Sequence, residues 1–245
     1  MASASKRAGK RSGARPACSA VIAAAGSSER MGGEDKLFLE IGGAPVLAYS
    51  LSAFQNAACI DEIIIVARED KFEEVGRICE RFGIDKAAKV MTGGSTRLES
   101  VMNGVFAVSK KTDLIAIHDG ARPFIARGII ERTVEEAALF YAAAPGVPVT
   151  STLKTVKDGI IRDTIAREGL IEIQTPQVFD ADLIKAALTN AVKKAVCVTD
   201  DCMAAELIGT PVHVTEGSAL NIKITTSEDF RLACSIADKG GALYE

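Results

Sequence analysis

The chain has no tryptophan, only two histidines, and no pair among its six cysteines in C-x-x-C spacing. With His118 and His213 as the only imidazoles, neither a zinc centre nor a nucleophile activated by histidine finds enough groups in one place. The cysteines (18, 59, 79, 197, 202 and 234) stand singly, mostly in apolar surroundings. They read as free thiols of a reducing, cytoplasmic setting rather than a disulfide framework. No apolar run approaches the roughly 18 residues of a membrane-spanning helix, so a membrane partner is not expected. Acid is missing from residues 1–18, where Lys6, Arg7, Lys10, Arg11 and Arg15 stand, so the remainder carries −8 against a total of −3. An acidic body speaks against a broad nucleic-acid-binding face, and any bound polyanion must be held by local cations. Residues 1–18 read as a basic flexible tail, either a leader or a short targeting segment.

The 245 residues, 48% hydrophobic, suffice for a full core, and residues 19–245 read as one domain. Strand-length apolar runs at about 20–24, 62–67, 89–91, 114–118, 146–149, 212–215 and 221–224 alternate with helical periods. The helices are expected at about 45–56, 71–82, 96–108, 126–141, 181–193, 199–208 and 227–237. This order predicts an α/β fold with a mostly parallel sheet covered on both faces. Pro45 suits a first helical position, and Ser227 with Glu228 and Asp229 an N-terminal cap. The segment at about 151–174 breaks the rhythm with a hairpin signal, Asp158-Gly159 between β-branched residues. An antiparallel arm of this kind serves either dimerisation or as a plain surface hairpin.

Chemistry is expected beyond the carboxyl ends of the strands. After the first strand, Ala24-Ala25-Gly26-Ser27-Ser28-Glu29-Arg30-Met31 continues to Lys36, the layout of a phosphate-binding loop with two cations. It is not a Walker A, because Leu37 follows Lys36, and it lacks the later glycines of a dinucleotide fingerprint. Gly93-Gly94-Ser95-Thr96 opens a helix with free N–H groups, and His118-Asp119-Gly120-Ala121-Arg122 ends a strand with a carboxylate and a guanidinium. Near the C-terminus, Lys223 lies within an apolar alternation. Each feature alone has a structural explanation as a turn, an ion pair or a solvated strand residue. The cations Arg30, Lys36, Arg122 and Lys223 and one carboxylate at one sheet edge point instead to a phosphoryl-transfer site.

Taken together, the motifs resemble the 2-C-methyl-D-erythritol 4-phosphate cytidylyltransferase family. They are the small-residue loop with Arg30 and Lys36, Gly93-Gly94 through Ser100, Asp119-x-Ala121-Arg122-Pro123, Thr152-x-Lys154, Arg167-x-Gly169-Leu170, Thr175-Pro176-Gln177-x-Phe179, Thr199-Asp200 and Asn221-x-Lys223-x-Thr225. The likeness runs from about residue 20 to 232. It implies a Rossmann-like nucleotidyltransferase three-layer sandwich with a β-arm for dimerisation, and transfer of CMP from CTP to a polyol phosphate in isoprenoid precursor synthesis. By resemblance Arg30, Lys36, Lys223 and, from the partner subunit, Arg167 are catalytic. Ala24, Ala25, Gly26, Gly94, Ser95 and Ser100 would bind the nucleotide, and Asp119, Arg122, Thr152, Thr175 and Thr199 the polyol phosphate. Magnesium is implied, held mainly through the CTP phosphates, with no protein metal ligands.

The chain departs from the family pattern at Ser28, Asp35, Ser95 and Gly120, where Gly, Pro, Asp and Ala are usual. Without a proline before Lys36, the loop is expected to be more mobile when empty. Ribitol-5-phosphate cytidylyltransferase shares much of the pattern and remains an alternative, as does a nucleotide sensor that does not catalyse.

Overall fold

The structure, a computed structural model, describes residues 15–26 and 35–238. The central sheet begins with β1 (Cys18–Ala24), β4 (Glu62–Ala67), β5 (Ala87–Thr92) and β6 (Leu114–Asp119), which run parallel in the order β5, β4, β1, β6. A small β2–β3 hairpin (Glu40–Ile41 and Ala44–Pro45) lies between β1 and α1 (Val46–Asn56). Helices α2 (Phe72–Arg81), α3 (Arg97–Ala107) and α4 (Arg127–Phe140) follow β4, β5 and β6.

Alternate residues of these strands supply two cores. Ile22, Ile63, Ile65, Leu114 and Ala116 pack with Leu47, Leu51, Val75, Ile130 and Ala233 on one face. On the other, Val21, Ile64, Val66, Ile115 and Ile117 pack with Val101, Val105, Leu188 and Ala204. A strand apolar at every position must be covered on both sides, and the three-layer arrangement follows. Full burial of each valine, leucine or isoleucine side chain among them contributes about 1.5–3 kcal/mol. Helix α5 (Ala181–Lys193) and the short α6 (Asp201–Glu206) contribute to the second face, and α7 (Ser227–Asp238) to the first.

Past β6 the sheet departs from the expected rhythm. β7 (Ala142–Pro148) starts at Ala142, not near residue 146, because Tyr141 takes a left-handed conformation (φ 70°) that ends α4 and leads directly into the strand. The alanine run 142–144 looks helical in sequence but lies wholly buried in the sheet. β11 (Gln177–Asp180), unexpected from sequence, sits antiparallel between β6 and β7. Ala143 pairs with Val178 of β11 and with His213 of β12 (His213–Glu216), so β12 lies on the far edge of β7. β10 (Ile171–Ile173) pairs antiparallel with the C-terminal end of β7.

Helices α1 to α7 match the expected periods to within about two residues, except that α6 is shorter. Pro45 sits one residue before α1 in extended conformation, and Thr226 rather than Ser227 accepts from the Asp229 N–H. The arm is a hairpin of β8 (Leu153–Lys157) and β9 (Ile160–Ile165), closed by Asp158 and Gly159 at φ 55° and 75°. Two successive left-handed residues are what a tight, twisted hairpin turn requires. The expected strand at 221–224 is absent. Ile224 N–H donates to the Ala121 carbonyl, and Asn221 and Ile224 are both buried, so this segment docks on the turn after β6 rather than joining the sheet. β1 begins at Cys18, the last residue of the expected tail.

Candidate active site

The ends of β1, β5 and β6 converge because small residues let their loops touch. A Cβ added to Gly93 would lie 2.3 Å from the Ala25 Cβ, and one on Gly94 2.2 Å from the Glu99 Cβ, so only glycine fits at either position. The turn then enters α3 through a threonine N-cap. Thr96 Oγ1 accepts from Glu99 N–H at 3.1 Å, and Glu99 Oε2 accepts from the amide and hydroxyl of Ser95 at 2.7 and 2.5 Å. Ser100 Oγ accepts from Gly94 N–H at 2.9 Å and donates to the Thr96 carbonyl at 2.9 Å. Across the cleft, Asp35 pairs with Arg68 at 3.0 Å, and its carbonyl accepts from Phe38 N–H, which anchors the turn carrying Lys36.

Asp119 is the hub. Its carboxylate meets Lys223 Nζ at 2.7 Å, Arg97 Nη2 at 3.6 Å and Arg122 Nε at 3.7 Å. Burial alone would raise its pKa. Lys223 and Arg97, with Arg122, outweigh that and hold the carboxyl well below the usual carboxylate range. Arg97 also forms a two-pronged pair with Asp201, at 3.1 and 2.8 Å, and the acids around it raise its own pKa further despite burial. Asp201 is held from behind, since its N–H and that of Cys202 both donate to Gln177 Oε1 at 3.0 Å. Arg122 Nη1 donates to the Asn221 carbonyl at 2.7 Å, and Asn221 Nδ2 to the Thr175 carbonyl at 3.0 Å. The Lys223 segment is therefore pinned by backbone and amide contacts on both sides.

Two cavities share this hub. The larger, about 520 Å³, is lined by Ala25, Gly26, Lys36, the Gly94–Arg97 turn, Ser100, Asp119 and Lys223. The smaller, about 170 Å³, is lined by Arg97, Asp119, Arg122, Thr175, Gln177, Thr199, Asp200 and Lys223 among others. Arg97, Asp119 and Lys223 border both, so groups bound in the two cavities would meet at one carboxylate and two cations.

The model of the 2-C-methyl-D-erythritol 4-phosphate cytidylyltransferase family matches residues 18–239. The chain belongs to this family. A relative of that name from Halalkalibacterium halodurans is 43% identical over 219 residues, covering 89% of this chain and 96% of its own. One from Caldanaerobacter subterraneus is 44% identical over 218 residues, with coverage of 88% and 96%. Among solved structures, the 4-diphosphocytidyl-2C-methyl-D-erythritol synthase of Anaerococcus prevotii superposes with a TM-score of 0.81 at 31% identity, covering 91% and 96% of the two chains. The cytidylyltransferase of Thermus thermophilus gives 0.74 at 32% identity, covering 89% and 98%.

Of the residues that the cytidylyltransferase motifs single out, the structure brings Ala25, Gly26, Lys36, Gly94, Ser95, Ser100, Asp119, Arg122, Thr175, Thr199 and Lys223 to these two cavities. Ala24 is buried in β1 (3% exposed) and lines neither, although its neighbour Ala25 does. Thr152 and Arg167 lie exposed on the arm segment and line neither cavity, Arg167 donating instead to the Thr150 carbonyl. Arg30 lies outside the described residues. Arg97, Gln177 and Asp201 carry more of the site than the sequence reading gave them. The signal for Arg97 was its place in the first turn of the helix after Gly93-Gly94, and for Asp201 the acid pair Asp200-Asp201 at the start of α6.

No group of three or more His, Cys, Asp or Glu side chains is arranged to hold a metal among the described residues. Among the described residues Asp119 is the only carboxylate on the larger cavity, and three cations already surround it. These residues do not fit a metal cage built by the protein.

Proposed function

We propose that this chain transfers CMP from CTP to 2-C-methyl-D-erythritol 4-phosphate, releasing pyrophosphate and 4-diphosphocytidyl-2-C-methyl-D-erythritol for non-mevalonate isoprenoid precursor synthesis. The observation that carries the reading is the shared wall of the two cavities. A site sized for a nucleotide adjoins a smaller polar one, and the cations lie between them. The triphosphate would enter beside the Gly94–Arg97 turn, near Lys36, with the cytosine against Ala25, Gly94 and Ser100. The polyol phosphate would occupy the smaller cavity, its hydroxyls facing Asp119, Arg122, Thr175 and Thr199.

In the reaction, a phosphate oxygen of the polyol attacks the α-phosphorus in line. The bond to the bridging oxygen breaks and pyrophosphate leaves with the electron pair. The attacking phosphate monoester is already anionic near neutral pH, so no general base is needed. Catalysis then rests on placement and on charge neutralisation in the transition state. Lys223, held at 2.7 Å by Asp119, sits where the two phosphates would meet. Lys36 and Arg30 would neutralise charge on the triphosphate and the leaving pyrophosphate. Magnesium would come with CTP as part of the substrate and would supply neutralisation of phosphate charge, since no carboxylate cluster among the described residues is arranged to hold it.

The arm supports a homodimer. Val156, Ile160 and Ile161 are 60%, 58% and 61% exposed on it, a larger apolar surface than a free hairpin needs. Thr152 and Arg167, which line neither of this chain's own cavities, would then serve the partner's polyol site. We place the enzyme in the cytoplasm, as residues 19–245 forming one transferase unit with the arm at about 151–174. All six cysteines are free, and no described helix is long and apolar enough to cross a membrane.

Incubation of the protein with CTP, magnesium and methylerythritol phosphate should give the cytidine diphosphate ester and pyrophosphate in equal amounts by phosphorus NMR. CTP recovered intact, or hydrolysed to CMP alone, would overturn the reading.

A further inference from the structure

His118 is fully buried at the end of β6, its ring 4.9 Å from that of Phe54, and nothing in the transfer chemistry uses it. Both ring nitrogens have partners. Nδ1 lies 3.0 Å from Thr175 Oγ1, and Nε2 lies 3.3 Å from the Arg122 carbonyl. A carbonyl can only accept, so Nε2 carries the proton. Burial lowers the ring's pKa to about 4, which keeps it neutral near physiological pH. Nδ1 is then an acceptor, and the Thr175 hydroxyl must donate to it.

Thr175 Oγ1 also accepts the Asp119 N–H at 3.1 Å. A hydroxyl has one proton and two lone pairs. Its proton is spent on His118 and one lone pair on Asp119, so the single valence left is an acceptor. Thr175 lines the smaller cavity. Whatever reaches its oxygen there must donate a hydrogen bond.

We propose that His118 is a positioning residue: it orients the Thr175 hydroxyl so that the smaller cavity presents an acceptor reserved for a hydroxyl of the polyol substrate, and fixes the Asp119 backbone through the same oxygen. The proposal rests on the transfer reading above. It assigns a specificity role to a core histidine and makes Thr175 blind to substrate groups that only accept, such as a carbonyl or fluorine. With the tautomer reversed, Thr175 Oγ1 would accept twice from the protein and turn its proton toward the cavity, the wrong polarity for a substrate donor.

Two measurements test this. The first is long-range proton–nitrogen NMR of the wild-type protein labelled with 15N-histidine at about pH 7. With only two histidines, a His213→Gln variant assigns the spectrum. The Nε2–H tautomer is expected for His118; the Nδ1–H tautomer or an imidazolium would overturn the relay whether or not the protein turns over. The second is kinetics. His118→Phe fills the ring's place without its nitrogens, and should raise KM for the polyol phosphate about tenfold, with KM for CTP within about twofold, as the loss of one hydrogen bond implies. His118→Asn, whose amide oxygen can accept from Thr175, should recover much of the loss. Thr175→Val should match His118→Phe, and the double variant should be no worse than Thr175→Val. Losses that multiply, an equal rise in KM for CTP, or no rise at all would overturn the proposal. Wild-type protein that does not turn over methylerythritol phosphate would overturn the transfer reading instead, and the tautomer would still decide the relay.

Discussion

Replacing Arg97 by methionine strands a carboxylate. The Asp201 side chain is 1% exposed and Arg97 supplies both of its charged contacts, whereas Asp119 keeps Lys223 at 2.7 Å. Leaving one member of a buried pair uncompensated costs about 3–5 kcal/mol. The cost has a ceiling, because Asp201 can escape by taking a proton. Protonating a carboxyl of ordinary pKa about 3.9 costs about 1.4 kcal/mol per pH unit above that value, so about 4 kcal/mol at pH 7 and about 1.5 kcal/mol at pH 5. The sign follows from linkage. Burial already pushes the Asp201 carboxyl upward against the opposing pull of Arg97, and without Arg97 the folded-state value rises further. An acid raised on folding favours the folded state only when protonated, so stability is lost as pH climbs from about 4 to the new folded value. Urea denaturation of Arg97→Met should therefore show a loss of about 4 kcal/mol at pH 7 that shrinks below about 2 kcal/mol at pH 5. The melting temperature at pH 7 should fall by roughly 8–16 °C for a domain of this size. Adding Asp201→Asn should recover much of the difference. A loss under about 1 kcal/mol at pH 7, or one equal at both pH values, would refute the buried-pair account.

Lys223→Ala should lower kcat by about 10²–10³ while CTP binding, measured by calorimetry, persists; unchanged turnover would remove Lys223 from the chemistry. The Asp119 carboxyl, depressed by Lys223 and Arg97 against burial, contributes stability that is present above the unfolded value of about 4 and is lost as pH falls below it. Asp119→Asn should accordingly lose stability less steeply than wild type on acidification below about pH 4 in acid titrations followed by circular dichroism, and equal slopes would contradict the ion-pair hub. Arg167→Ala should raise KM for the polyol phosphate about tenfold or more without moving KM for CTP. Mixing it with Lys223→Ala protein should restore some turnover, because subunits exchanged in the proposed dimer would rebuild one intact site; no restoration would tell against an arm that serves the partner.

The sequence made the parallel half of the fold legible because both faces of β1, β4 and β6 are buried, which writes uninterrupted apolar runs such as Ile63-Ile64-Ile65-Val66. Beyond β6 its signals mislead. Ala142–Ala144 has helical composition yet is sheet, since a left-handed Tyr141 ends α4 without a loop, and four-residue β11 is too short to show a period. The alternation at 221–224 mimicked a strand, but its main chain bonds elsewhere: Ile224 N–H donates to the Ala121 carbonyl, Asn221 N–H to the Ser218 carbonyl, and the Asn221 carbonyl accepts from the Arg122 guanidinium. Sheet-edge position was enough to mark Lys36, Asp119 and Arg122 as candidates that line the two cavities, whereas Lys223 reaches them although the strand expected around it is absent. Arg97 and His118 act through partners distant in sequence, Asp201 and Thr175, and such pairings exist only once the chain has folded.

The most direct test of the proposed activity is pyrophosphate release by the purified protein with CTP and magnesium, run side by side with methylerythritol phosphate and ribitol 5-phosphate. Release with methylerythritol phosphate and little or none with ribitol 5-phosphate is the predicted result. Release with ribitol 5-phosphate alone, or with neither acceptor, would contradict the account.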